Sequence, residues 1–125
     1  YPEMQKALQE MYSRGKEVPG GVCGFWGACG AGISTGMYIS IALKATPLAD
    51  EAWGLSNQMT ARALEAIGKN GGPRCCKRDS YLAIKPALEF VRENFGIEME
   101  ESESVSLGID GKYRIGSITE NIHLY

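Results

Sequence analysis

Up to residue 96, apolar residues recur at helical spacing between turns rich in glycine and proline. Residues 2–14 set Met4, Ala7, Leu8 and Met11 on one side and Lys6, Glu10 and Arg14 on others, which predicts an amphipathic helix. Gly15 and then Pro19-Gly20-Gly21 end it. A second helix is expected over residues 30–44, where Ile33, Met37 and Ile41 are spaced by four and Tyr38 and Ala42 widen the apolar face. Gly30, Gly32 and Gly36 oppose it by about 1 kcal/mol each relative to alanine, so close packing or a group bound near the backbone has to offset them. Thr46-Pro47 predicts the next helix start, with threonine as N-cap, proline at the first helical position, and Asp50 and Glu51 in the first turn. Leu48, Ala52, Leu55, Met59, Ala63 and Ile67 then form a stripe that stops at Asn70-Gly71-Gly72. A fourth helix should begin at Pro73 or shortly after. Tyr81, Ile84, Leu88, Val91 and Phe95 are its expected buried stripe, and Pro86 is expected to kink or break it.

Beyond Ile97 the pattern changes. Glu98, Glu100, Glu101 and Glu103 alternate with Met99, Ser102 and Ser104, as in an exposed edge strand or a linker. Residues 105–109 and 112–115 flank Asp110-Gly111, a hairpin signal. The expected fold is therefore mainly α: one domain over residues 1–125, with a four-helix core over 1–96 and a small C-terminal β-hairpin or tail over 97–125.

At 125 residues the chain is long enough for one core, and 44% hydrophobic with 22% charged residues is an ordinary globular balance. A net charge of −2 gives no general attraction to nucleic acid or to an anionic membrane. Apolar runs such as residues 37–45 are too short to span a bilayer, and no signal peptide stands at the start. Tyr1 in place of an initiating methionine points to an excised domain or a processed chain.

The chemistry lies in four cysteines set in two glycine-rich turns. Cys23 and Cys29 belong to Gly20-Gly21-Val22-Cys23-Gly24-Phe25-Trp26-Gly27-Ala28-Cys29-Gly30, and Cys75 and Cys76 to Gly71-Gly72-Pro73-Arg74-Cys75-Cys76-Lys77-Arg78. Each turn leads into an expected helix start, where the backbone favours negative charge, and Arg74, Lys77 and Arg78 add cations. Thiolates are the expected outcome. Two disulfides fit less well, because adjacent cysteines pair only with strain and the chain is strongly helical. A reducing cytoplasm is the expected compartment.

Four thiolates suffice for a tetrahedral zinc site or an iron–sulfur cluster. The C-x5-C and C-C spacings do not match the paired C-x-x-C knuckles of a zinc ribbon, nor the C-x-x-C of thioredoxin-like proteins. Adjacent Cys75 and Cys76 point about 100° apart on a helix, which favours a three-cysteine site with one position open. His123, the one histidine, is an outside candidate ligand or a plain surface residue. Phe25 and Trp26 would shield a metal site or fill the core. Arg74, Lys77 and Arg78, with Asp79 beside them, are a candidate anion site or a solvated face. Gly30-Ala31-Gly32-Ile33-Ser34-Thr35-Gly36 lacks the ending of a P-loop and the spacing of a dinucleotide loop, so close helix packing is its simpler role.

Two stretches, residues 20–36 and residues 71–81, together resemble an uncharacterised cysteine-containing domain family of anaerobic bacteria and methanogenic archaea. The resemblance covers about residues 5–95, and Cys23, Cys29, Cys75 and Cys76 match that family's cysteine positions. It implies a domain found alone or fused to S-adenosylmethionine-dependent methyltransferases and radical-SAM proteins. It also implies further cysteines near the C-terminus, and residues 105–125 have none.

Three functions stay open. One is a metal-binding domain, iron–sulfur before zinc, with Cys23, Cys29 and one or both of Cys75 and Cys76 as ligands, supporting an S-adenosylmethionine-dependent or sulfur-handling enzyme. In it Arg74, Lys77 and Arg78 balance charge or bind a small anionic ligand. The second is an enzyme whose nucleophile or sulfur carrier is an activated thiolate such as Cys76. The third is an interaction module with buried, inert cysteines.

Overall fold

A computed structural model describes residues 2–99, 105–107 and 113–115. Five helices account for most of them: α1 (Pro2–Gly15), α2 (Val22–Phe25), α3 (Gly30–Ala42), α4 (Glu51–Asn70) and α5 (Cys76–Phe95). The core lies where α3, α4 and α5 meet. Ile39, Met59, Ala63, Ile67, Leu82, Ala83, Phe90 and Val91 fill it, and Phe90, Ile39 and Met59 are its largest fully enclosed side chains. Burying a side chain of this kind contributes about 1.5–3 kcal/mol, so these three helices carry the stability.

The expected architecture needs correction. The described residues form five helices rather than four, because a single turn, α2, interrupts the loop that carries Cys23. The C-terminal β-hairpin is not supported as part of the fold. Among the described residues it amounts to two three-residue stretches, Val105–Leu107 and Tyr113–Ile115, in antiparallel register. The Asp110-Gly111 turn and His123 lie outside the described residues.

Helix boundaries and faces also move. Thr46-Pro47 starts a turn instead of a helix: the Leu48 and Ala49 amides donate to Thr46 Oγ1 and O at 3.3 and 3.0 Å, and α4 begins after Asp50. Leu48 is therefore exposed, and the buried stripe of α4 runs through Met59, Ala63 and Ile67. Met4 and Leu8 of α1 are exposed too, leaving Ala7 and Met11 as its half-buried apolar positions. Helix α5 continues through Pro86 to Phe95 without ending. Its buried face is Leu82, Ala83, Phe90 and Val91, whereas Ile84 and Leu88 line an open apolar groove with Tyr38 and Met99.

Helix α3 shows the largest departure. Its buried line is Gly32, Gly36 and Ile39, not Ile33, Met37 and Ile41. The glycines are there for contact. A Cβ on Gly36 would collide with Thr60 Oγ1 and stand 2.8 Å from the Ser56 carbonyl oxygen, and one on Gly32 would stand 3.0 Å from Leu64 Cγ. The helix propensity lost at these glycines is offset by the close seating of α3 on α4, which fixes the start of α3 and so the position of Cys29.

Gly36→Ala should destabilise the protein by roughly 1–3 kcal/mol in urea denaturation, since overpacking outweighs the gain in helix propensity. Gly54→Ala, in α4 with nothing within 4 Å of the added carbon, should stabilise it by about 0.5–1 kcal/mol. Equal effects at the two sites would refute the packing role of Gly36.

Candidate functional site

The two glycine-rich turns meet. Cys23 and Cys29, from the first, line a cleft of about 270 Å³ together with Arg74, Cys76 and Asp79, from the second and the start of α5. Cys23, Cys29, Arg74 and Asp79 also line a neighbouring cavity of about 350 Å³, so these four residues form the wall between the two spaces. Left-handed backbone at Gly27 (φ +69°) and Gly71 (φ +82°) lets the loop ahead of α3 and the one after α4 turn toward this wall.

The four cysteines are all free thiols, and their surroundings differ. Cys75 is buried and caps α5: its sulfur accepts from the Arg78 amide at 3.4 Å. Cys76, the first residue of α5, is exposed, and Arg74 Nε donates to its sulfur at 3.4 Å. Cys23 is half-buried on α2. Cys29 is the N-cap residue of α3 and is half-buried against the core, with its thiol 3.6 Å from Asp79 Oδ2.

Burial pushes the Cys29 thiol above its ordinary pKa, and the negative charge of Asp79 adds to that. The amides of Ala31 and Gly32 pull the other way and are outweighed. The helix start thus does not make Cys29 a thiolate, contrary to the sequence expectation. At neutral pH Cys29 holds its proton and donates it to Asp79. The Arg74 guanidinium moves upward, first through its hydrogen bond to the Cys76 sulfur and then through the Cys76, Cys23 and Cys29 sulfurs in their ionised forms. One cation therefore acts on three of the four sulfurs.

Behind the wall lies a buried ion pair. Arg78 Nε donates to Asp79 Oδ1 at 3.2 Å, both side chains are almost fully enclosed, and Arg78 Nη2 donates to the Pro73 carbonyl at 2.9 Å. A chain of contacts runs from Pro73 through Arg78 and Asp79 to Cys29, joining the second turn to the first.

Of the expected site residues, Cys23, Cys29, Cys76 and Arg74 come together at the cleft, while Cys75 turns away as a cap. Lys77 is exposed and lines neither space, and Arg78 is buried instead of solvated. Phe25 and Trp26 are exposed and shield nothing. Among the described residues, no three His, Cys, Asp or Glu side chains stand close enough to grip one metal ion. Asp79 was not among the expected site residues. Its position three residues after Cys76 was the available signal, since that spacing shares a helix face.

Cys75→Ala should cost about 1–2 kcal/mol, through loss of a cap and of a buried side chain, whereas Cys76→Ser should stay within about 0.5 kcal/mol of the parent in urea denaturation. The raised Cys29 pKa has a signed consequence. The folded state keeps a proton that the unfolded state releases first, so this contribution to stability is full below the ordinary thiol pKa and is lost as pH rises through the Cys29 value. Labelling of Cys29 should set in above the ordinary thiol range when followed by mass spectrometry against pH. Labelling of Cys29 with a midpoint at or below that range would contradict this assignment.

Among the described residues no helix is long and apolar enough to cross a membrane. Neither a curated protein nor a solved structure matches the chain. A family model does match, over residues 2–108, a span that includes both cysteine turns and all five helices. The chain belongs to that family, DUF5714, a family of unknown function.

Proposed function

We propose that this domain carries out thiol chemistry, with Cys76 as the reactive sulfur. The observation that carries this reading is the 3.4 Å contact from Arg74 Nε to an exposed Cys76 sulfur, at the edge of a cleft that Cys23 and Cys29 also line. A thiolate is the nucleophilic form of cysteine, and an adjacent guanidinium favours it. In the step, the Cys76 sulfur gives its electron pair to an electrophilic sulfur or carbon. The leaving group departs with the pair of the broken bond, and the thiol proton passes to solvent. Arg74 Nε, hydrogen-bonded to the sulfur, steadies it at the edge of the cleft. Cys29, protonated and tied to Asp79, stays out of this first step. The four free thiols suit a reducing compartment such as the cytoplasm.

A second reading is metal binding. Three sulfurs, those of Cys23, Cys29 and Cys76, line one cleft. A single zinc ion would need its sulfurs at about 2.3 Å, which places them together more tightly than any three donors stand among the described residues. A three-cysteine iron–sulfur cluster, which spreads its ligands over several irons, suits the cleft better. In either reading, an S-adenosylmethionine-dependent methyltransferase or a radical-SAM protein is the partner suggested by the sequence resemblance.

Competitive alkylation with limiting iodoacetamide near pH 6.5 separates the readings. Cys76 should label about tenfold faster than the other three, and Arg74→Gln should slow it toward the rate of an unassisted thiol. Equal, slow labelling of all four would refute the thiol reading. Protein purified without oxygen that carries iron and acid-labile sulfide in proportion to the chain, with Cys76 protected from alkylation, would replace it with the cluster.

A further inference from the structure

The 350 Å³ space on the other side of the cysteine wall is lined in part by a residue that carries a donor with no acceptor among the described residues. Arg78, only 2% exposed, forms part of its lining. Two of its three guanidinium nitrogens are engaged, by Asp79 and by the Pro73 carbonyl. The third, Nη1, is buried and has no hydrogen-bond partner among the described residues. A buried charged donor left unpaired costs more than an ordinary lost hydrogen bond, and such a group in a native site calls for an acceptor.

A second observation, independent of the first, points the same way. Arg74 lines the same cavity, and among the described residues no carboxylate pairs with it. Asp79 pairs with one guanidinium, and the other meets the Cys76 sulfur through Nε alone among the described residues, beside the open space. Gly24, Gly27, Gly71 and Gly72 contribute to the lining and keep that space clear of side chains.

We propose that this cavity is a binding site for a small oxyanion, a carboxylate or a tetrahedral anion such as phosphate, held by Arg78 Nη1 and Arg74. Guanidinium groups match the oxygens of either anion, and the burial of Arg78 strengthens the bond. Arg74 faces both spaces, so an anion held there lies directly across the wall from the cleft that Cys76 borders. On the thiol reading, which this last step rests on, the Cys76 substrate is a small electrophile that carries an oxyanion group. Lys77, grouped with these cations by sequence, takes no part.

Two measurements test this on the full chain, with the Cys76→Ser variant so that anion binding is read without the reactive sulfur. In thermal unfolding, acetate or inorganic phosphate at tens of millimolar should raise Tm above a chloride control of equal ionic strength. Arg74→Gln, which alters an exposed side chain, should remove most of that shift. A shift with acetate alone assigns a carboxylate, and a shift with phosphate alone assigns a tetrahedral anion. No shift with either, or one unchanged in Arg74→Gln, overturns the site and leaves Arg78 Nη1 to water. In the parent chain, iodoacetate should label Cys76 roughly tenfold faster than iodoacetamide once both are normalised to glutathione, the factor one charge-assisted hydrogen bond supplies. A slow Cys76 in both reagents with the Tm shift intact refutes the thiol reading alone. A fast Cys76 without preference for the anionic reagent refutes the anion as part of its substrate.

Discussion

The buried pair of Arg78 and Asp79 is the interaction on which this site depends. Two charges enclosed in protein are costly to desolvate, and replacing such a pair with apolar residues is often neutral or stabilising. The pair is therefore poorly explained as a device for stability. Its geometry explains it better. Asp79 reaches forward to the Cys29 thiol, and Arg78 reaches back to the Pro73 carbonyl, so one ion pair at the start of α5 fastens two turns that lie about fifty residues apart in sequence. Removing either partner strands the other as a buried charge, typically at 3–5 kcal/mol, which makes the pair an exacting clamp.

Around that clamp three similar side chains take different roles. Cys29 is drawn to a carboxylate in a half-buried place and keeps its proton. Cys75 gives its sulfur to a backbone amide. Cys76, one residue on, is exposed beside a guanidinium. No difference in cysteine chemistry as such is involved. At Cys29, desolvation and the neighbouring carboxylate override the helix start.

Much of this could be read from the sequence. Helices α1, α4 and α5 were visible because strong apolar periodicity and clear stops bound them, and the two cysteine turns stood out through their glycines. Helix α3 was legible as a helix but not as a face. It is apolar all round, and its contact line is glycine, which carries no hydropathy signal. The start of α4 misled because Thr-Pro serves a turn as readily as a helix cap. Faces were misread on α5 because a groove, not the core, receives Ile84 and Leu88. The separation of Cys75 from Cys76 was legible in outline, since adjacent helical residues diverge. The partnership of Asp79 with Cys29 was not, because it needs the relative placement of α3 and α5, which no local pattern encodes.

The tight seating of α3 on α4 at Gly36 has a mechanical corollary. A helix whose backbone touches its neighbour cannot slide along it without opening a gap, so the α3 end of the first cysteine loop is an anchored post. Any rearrangement that brings Cys23 toward or away from Cys76 has to be taken up upstream of that post. Gly21 and Gly27, both at positive φ, flank the short α2 turn that carries Cys23. Those two glycines are the backbone positions beside the turn where a change of direction costs least.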